Sequence, residues 1–161
     1  MDHGARRGVS IRAMDFFNEI PLDESQAEAI ARGLFAVASS DGIHPREAAL
    51  IAAFYEEVGL GTSSLAELQR RTPITDEELA GALRSDDERR LFIKSALLLA
   101  WADGTVSDAE RAVIGRFAAA LSVDQDTVGK LEESVKDFLM SQLAHLQNVD
   151  AARAVAHKFE S

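Results

Sequence analysis

Two short turns carry the residues of this sequence that are best suited to bind a ligand. The first contains Asp41 and Glu47, and the second contains Asp103 and Glu110. In each turn the aspartate precedes a glycine, and the glutamate follows six or seven residues after the aspartate. Carboxylate oxygens are preferred ligands of hard cations such as Ca²⁺ and Mg²⁺, and helix ends add unpaired carbonyl oxygens. The four acids are therefore a candidate site for a divalent cation.

Helices must position these turns, because apolar residues recur at helical spacing on both sides of each. A short helix is predicted over Ile11–Ile20, with Ile11, Met14, Phe17 and Ile20 on one face and Pro21 after its end. No segment alternates apolar and polar residues between turn signals, so no strand is expected. The sequence predicts an all-α fold, a single compact bundle of about eight or nine helices that forms one domain over residues 1–161.

Helix capping alone explains each turn, and this alternative stays open. Gly42 and Gly104 suit the left-handed conformation that often follows the last helical residue. Pro45 fits a first helical turn, and Ser107-Asp-Ala-Glu110 matches a capping box. In a capping box the glutamate folds back toward the cap residue, which places it near the aspartate of the same turn.

The chain contains an internal repeat, and the two turns occupy equivalent positions in its two copies. The segment Asp23–Glu47 can be placed over Asp86–Glu110 with a one-residue gap, and the likeness extends to copies at about 23–71 and 86–135. Residues 136–161 then form C-terminal helices. Two such copies around an approximate twofold axis would bring both turns to one end of the bundle. Four carboxylates at one place repel each other unless a cation is present or some are protonated.

The sequence around these turns resembles the TerB-like family, that is, the tellurite-resistance B protein and its relatives. The second copy, AWADGTVSDAE, fits the family pattern, and the first, SSDGIHPRE, is one residue shorter, with Ser39 and Ser40 at usual alanine positions and His44 at the cap. The resemblance covers roughly Asp23–Val135. It implies an all-helical fold of pseudo-twofold character with an acidic surface for a divalent cation. It also implies a role in stress and tellurite-resistance systems through protein partners and not through catalysis.

Composition excludes several classes of function. The chain has no cysteine, which excludes disulfides, thiolate metal sites and cysteine nucleophiles. Its formal charge of −10 disfavours binding to nucleic acid. The longest apolar stretch, Ala96–Ala102, is far shorter than the ~20 residues of a membrane span. No apolar run follows the arginines of Met1–Ser10, so no signal peptide is expected and the predicted location is cytoplasmic.

Three hypotheses follow from these observations. The first is a non-enzymatic cytoplasmic protein of the TerB-like type, which binds a divalent cation or a protein partner at Asp41, Glu47, Asp103 and Glu110. The second is a metal-free interaction scaffold that uses the C-terminal helix or an apolar groove, and the third is a metal-dependent hydrolase. The third is disfavoured because no general base stands out beyond the four acids. A homodimer through the C-terminal helices stays open, although no uninterrupted heptad seam argues for it.

Overall fold

The computed structural model describes residues 21–40, 42–58, 64–71 and 73–160, without the side chains of residues 57, 58, 103 and 145–160. The helix predicted over Ile11–Ile20 lies outside this part. Seven α-helices and no strand are present in the described residues, which confirms the all-α prediction. The helices are α1 Glu24–Ser39, α2 Pro45–Val58, α3 Leu65–Arg70, α4 Asp76–Ala82, α5 Asp86–Ala100, α6 Asp108–Ala120 and α7 Gln125–Glu160; a 3₁₀ turn, Trp101–Asp103, follows α5.

Local sequence signals explain where these helices begin. Among the described helices, five start with a capping box, in which the cap side chain accepts from the N3 backbone and the N3 side chain accepts from the cap backbone. The cap and N3 residues are Asp23 and Gln26, Ser64 and Glu67, Thr75 and Glu78, Ser85 and Glu88, and Ser107 and Glu110.

In the C-terminal part, the sequence pattern predicts a long helix to about Leu146 and a separate last helix from Val149, and the structure differs from this. The C-terminal part forms one continuous helix, α7, of 36 residues. No glycine or proline interrupts the chain between Leu146 and Val149, so nothing in the backbone ends the helix there.

The two copies of the repeat pack alike. In each copy the first helix contacts the second and the third: α1 contacts α2 and α3, and α5 contacts α6 and α7. The structure pairs the cap residue Asp23 with the cap residue Ser85, one position before the Asp86 used in the sequence overlay. Equivalent positions are buried in both copies: Ile30 and Phe92, Leu34 and Ala96, Ala38 and Ala100, Ile51 and Ile114, and Phe54 and Phe117.

The helices α1 and α5 form the centre of the bundle and run parallel. Near their starts, Gln26 of α1 and Glu88 of α5 line the same recess. At their far ends, the Nη1 of Arg46 donates to the carbonyl of Ala102 at 3.4 Å. Residues that follow α1 therefore lie beside residues that follow α5. Both helices are largely buried, with ten buried residues in α1 and nine in α5.

In the part of the chain that the structure describes, no helix combines the length and the apolar character needed to span a membrane.

The guanidinium of Arg89 joins the ends of two helices that have no glycine cap. It donates to the carbonyls of Leu83 at 2.6 Å, Ala80 at 3.1 Å and Leu121 at 3.1 Å. These carbonyls belong to the C-terminal ends of α4 and α6, where helix carbonyls have no partner within the helix. A positive charge there also complements the helix dipoles.

We therefore predict that Arg89→Met lowers the free energy of unfolding by about 2–3 kcal/mol, because three partly buried carbonyls lose their donor. Urea unfolding at neutral pH measures this. The control is Arg90→Met, since Arg90 forms a solvent-exposed ion pair with Asp87 at 3.3 Å, and such pairs contribute about 0–1 kcal/mol. Equal losses in the two variants would contradict the role given to Arg89.

Candidate functional site at the paired Asp-Gly turns

The second turn is built by a 3₁₀ turn and a left-handed glycine. Trp101–Asp103 closes α5, and Gly104 has φ of 94°, a conformation that glycine adopts without strain. The N–H of Gly104 donates to the carbonyl of Trp101 at 2.9 Å. The chain then reaches Ser107, whose Oγ accepts from the N–H of Glu110 at 3.0 Å and so begins α6.

The first turn reaches nearly the same geometry with one residue fewer. Gly42 has φ of 92°, within two degrees of Gly104. The N–H of His44 donates to the Oε1 of Glu47 at 3.1 Å, and the N–H of Ser107 donates to the Oε1 of Glu110 at the same distance. The sequence difference between the copies therefore lies within the turn and leaves the start of the next helix unchanged.

The two glutamates are the most unusual residues of the site, because both are buried. Glu47 is 1% exposed and Glu110 is 3% exposed. Charged side chains are almost never fully buried unless a partner stabilises them. Backbone N–H groups at the N-termini of α2 and α6 supply part of that stabilisation, since each carboxylate accepts a cap N–H and lies near the positive end of a helix dipole.

The two turns lie at the same end of the bundle. Arg46 is the second residue of α2, directly before Glu47, and its guanidinium bonds to the carbonyl of Ala102, directly before Asp103. The start of α2 also contacts the 3₁₀ turn Trp101–Asp103. The arrangement expected from the repeat, with both turns at one end, is therefore present.

The structure describes the side chains of only two of the four acids predicted to form the site. Glu47 and Glu110 occupy equivalent buried positions, whereas Asp41 and the side chain of Asp103 lie outside the described part. Within the described residues, no group of three or more His, Asp or Glu side chains is arranged to hold a metal ion. A cation site at this end of the bundle therefore depends on Asp41 and Asp103.

A network around Glu132 fixes the second turn to α7, and sequence reasoning did not find it. Arg111 donates to both carboxylate oxygens of Glu132, at 3.1 and 3.0 Å, and the Nε1 of Trp101 donates to Oε2 at 3.0 Å. The Nζ of Lys136 lies 5.6 Å from the centre of the Trp101 ring. Trp101 therefore links the turn beside Asp103 to α7.

The charges of this network stabilise each other. The hydrogen bonds from Arg111, together with the bond from Trp101, hold the pKa of Glu132 below its ordinary value, although partial burial opposes this. The same contact with Glu132 raises the pKa of Arg111. Both side chains are thus ionised at neutral pH, and bidentate arginine–carboxylate pairs are among the stronger hydrogen-bonded contacts.

Comparison with known proteins supports the resemblance seen in the sequence. Residues 64–133 match the family model described as tellurite resistance protein TerB. The match includes the second turn, with Asp103 and Glu110, and begins after the first turn. No curated protein and no solved structure matches the chain. The match supports a TerB-like assignment for the second copy, and the first copy is related to the second by the internal repeat.

We predict that Glu132→Gln lowers the free energy of unfolding at about pH 7 by about 2 kcal/mol, because charge-assisted hydrogen bonds to Arg111 become neutral ones. The depressed pKa means that this contribution is complete above the ordinary value of 4.5 and is lost as the pH falls through the lower folded value. Urea unfolding of the wild type and the variant between about pH 7 and about pH 3 measures the difference, which should shrink toward the acidic end.

Glu133→Gln is the matched control, since Glu133 is 71% exposed and pairs with Lys136 at 3.7 Å. We expect this variant to change stability by less than about 1 kcal/mol at any pH. A Glu132→Gln effect that is independent of pH, or no larger than the control, would show that the network does not secure the turn.

Proposed function

We propose that this protein is a non-enzymatic, cytoplasmic TerB-like protein that binds one divalent cation, Ca²⁺ or Mg²⁺, between its two Asp-Gly turns. The ion-bound end of the bundle then serves as a docking surface for a protein partner in a stress or tellurite-resistance assembly. The observation that carries this proposal is the hydrogen bond between Arg46 and the carbonyl of Ala102, which holds the beginning of α2 against the second turn.

Electrostatics favours a cation at this end of the bundle. The parallel helices α1 and α5 both point their C-terminal, partly negative ends there. Along the chain, Asp41 follows α1 and Asp103 follows α5. Glu47 and Glu110 follow them, six and seven residues later. Hard divalent cations take carboxylate and carbonyl oxygens, which are the atoms available here. Arg46 already places one positive charge on a carbonyl of this end.

A thiol-based mechanism against a toxic oxyanion is excluded by composition. The chain has no cysteine, so it can neither reduce nor chelate such an ion through a thiol. A link to tellurite resistance would therefore operate through association with other proteins.

A metal-free scaffold is the second candidate, and Arg46 also favours it. The guanidinium could be the only cation that this end requires, in which case the turns are helix connections. Binding would then use another surface. The described part of α7 exposes two large apolar side chains, Met140 at 65% and Leu143 at 50%. Such residues on one helix suit contact with a protein partner.

Thermal unfolding in EDTA and with added Ca²⁺, Mg²⁺ or Mn²⁺ separates the two candidates. An ion at about 100 times its Kd stabilises the folded state by about 2.7 kcal/mol, which raises the Tm by roughly 5–10 °C for a domain of this size. We predict such a rise for the wild type with at least one ion and none for the Asp41→Asn/Asp103→Asn variant, because the aspartates complete the ligand set.

The control is Asp86→Asn/Asp126→Asn, which removes two exposed carboxylates at the opposite end of the bundle, near the starts of α5 and α7. This variant should keep the full metal-dependent rise. If millimolar concentrations of all three ions leave the wild-type Tm unchanged, the cation proposal fails and the scaffold remains. A rise that the control also loses would place the ion elsewhere on the acidic surface.

A further inference from the structure

An open apolar groove of about 600 Å³ lies between α6 and the start of α7. Its apolar lining is contributed by three helices and the segments that join them, and includes Leu97, Val106, Ile114, Ala118, Val123 and Val128. Volumes of 300–1,000 Å³ are typical of sites that bury a ligand or several side chains. This groove belongs to the second copy and extends from Val106 in the second turn to the start of α7.

The internal repeat explains why the groove is open. With Phe54 matched to Phe117, Ala118 takes the position of Tyr55, and Gly115 takes the position of Ala52. Tyr55 is partly buried and packs against the core in the first copy. In the second copy no ring occupies this position, because Ala118 ends at Cβ. A Cβ added to Gly115 would also meet nothing within 4 Å. The groove is thus open at the place where the first copy has an aromatic side chain.

We propose that residues Ile11–Ile20 of this chain dock in the groove, with Phe17 in the space beside Ala118. The sequence of this segment suits the groove, since Ile11, Met14, Phe17 and Ile20 recur at the spacing that would place them on one face of a helix. Ten helical residues span about 15 Å, somewhat less than the length of α6. An amphipathic helix laid into an apolar groove is a common mode of recognition.

The position of Pro21 places the segment next to the groove. Pro21 lines a shallow recess together with Arg84, Ser85 and Glu88, at the start of α5. From the same start, the side chain of Arg89 reaches the carbonyl of Leu121 at 3.1 Å. The next residue, Ser122, lines the groove. The distance from the start of α5 to the edge of the groove is therefore within the reach of one arginine side chain.

Charge favours the same occupant over a second copy of the whole chain. The whole chain contains 17 basic and 27 acidic residues, whereas Ile11–Ile20 contains one basic residue, Arg12, and two acids, Asp15 and Glu19. Asp124 lies at the rim of the groove, and its carboxylate caps α7 by accepting from the N–H of Thr127 at 2.8 Å. Two strongly acidic bundles repel each other, whereas this short segment with a net charge of −1 is repelled far less.

The test uses the absence of cysteine in the chain. The full-length variant Met14→Cys/Gly115→Cys should form an intrachain disulfide under mild oxidation at least about tenfold faster than Met14→Cys/Gly81→Cys, because docking raises the effective concentration of one thiol at the other. Gly81 is the matched control, since a Cβ there also meets nothing within 4 Å but lies on α4, outside the groove lining. Non-reducing electrophoresis separates intrachain from interchain products.

A third variant adds Ala118→Tyr to the Met14→Cys/Gly115→Cys pair and refills the groove as in the first copy. Disulfide formation should then slow by about tenfold; if this variant does not fold, Phe17→Ser in the same background should give the same loss. Equal rates at Gly115 and Gly81, or no effect of either refilling or Phe17→Ser, would overturn the proposal. Predominantly interchain disulfides would overturn it too and assign the groove to a second copy.

Discussion

The close approach of α1 and α5 is the contact on which the rest of the structure depends. A Cβ at Gly33 would lie 2.6 Å from Cε1 of Phe92, a distance that real Cβ atoms do not reach, so only glycine allows this packing. The ring of Phe92 then meets the ring of Phe117 edge-on, with centroids 5.6 Å apart and planes at 74°. One glycine and two aromatic rings thus join α1, α5 and α6. Because α1 and α5 are held parallel, the turns that follow them share one end of the bundle.

The two copies differ in the contacts that hold their turns in the bundle. Trp101, Arg111 and Glu132 fasten the second turn to α7, whereas the first turn reaches its neighbour through the exposed guanidinium of Arg46. The second copy also lacks the aromatic ring that Tyr55 provides in the first, and a groove remains. Duplication therefore accounts for the shared fold, and the departures from it mark the places where binding is expected.

The sequence predicted the features that depend on residues close together in the chain. A cap and its N3 partner lie three positions apart, so Ser107 with Glu110 was visible as a capping box, and the repeat indicated that both turns share one end. Contacts between distant residues could not be predicted this way. Trp101 and Glu132 are separated by 31 positions, and Arg89 gathers carbonyls from two helices whose relative position only the packed bundle defines. The continuity of α7 was missed because Gln147 and Asn148 are polar, and polarity alone does not end a helix.

The number of divalent ions bound per chain tests the central claim most directly. Calorimetric titration of the wild type and of the single variants Asp41→Asn and Asp103→Asn with Ca²⁺, Mg²⁺ and Mn²⁺ measures it. A site shared by the two turns predicts one ion per chain and a loss of at least about tenfold in affinity, roughly 1.4 kcal/mol, in each single variant. Two ions per chain, of which each variant keeps one, would show independent turns; no binding at millimolar ion would show that the paired turns are helix connections alone.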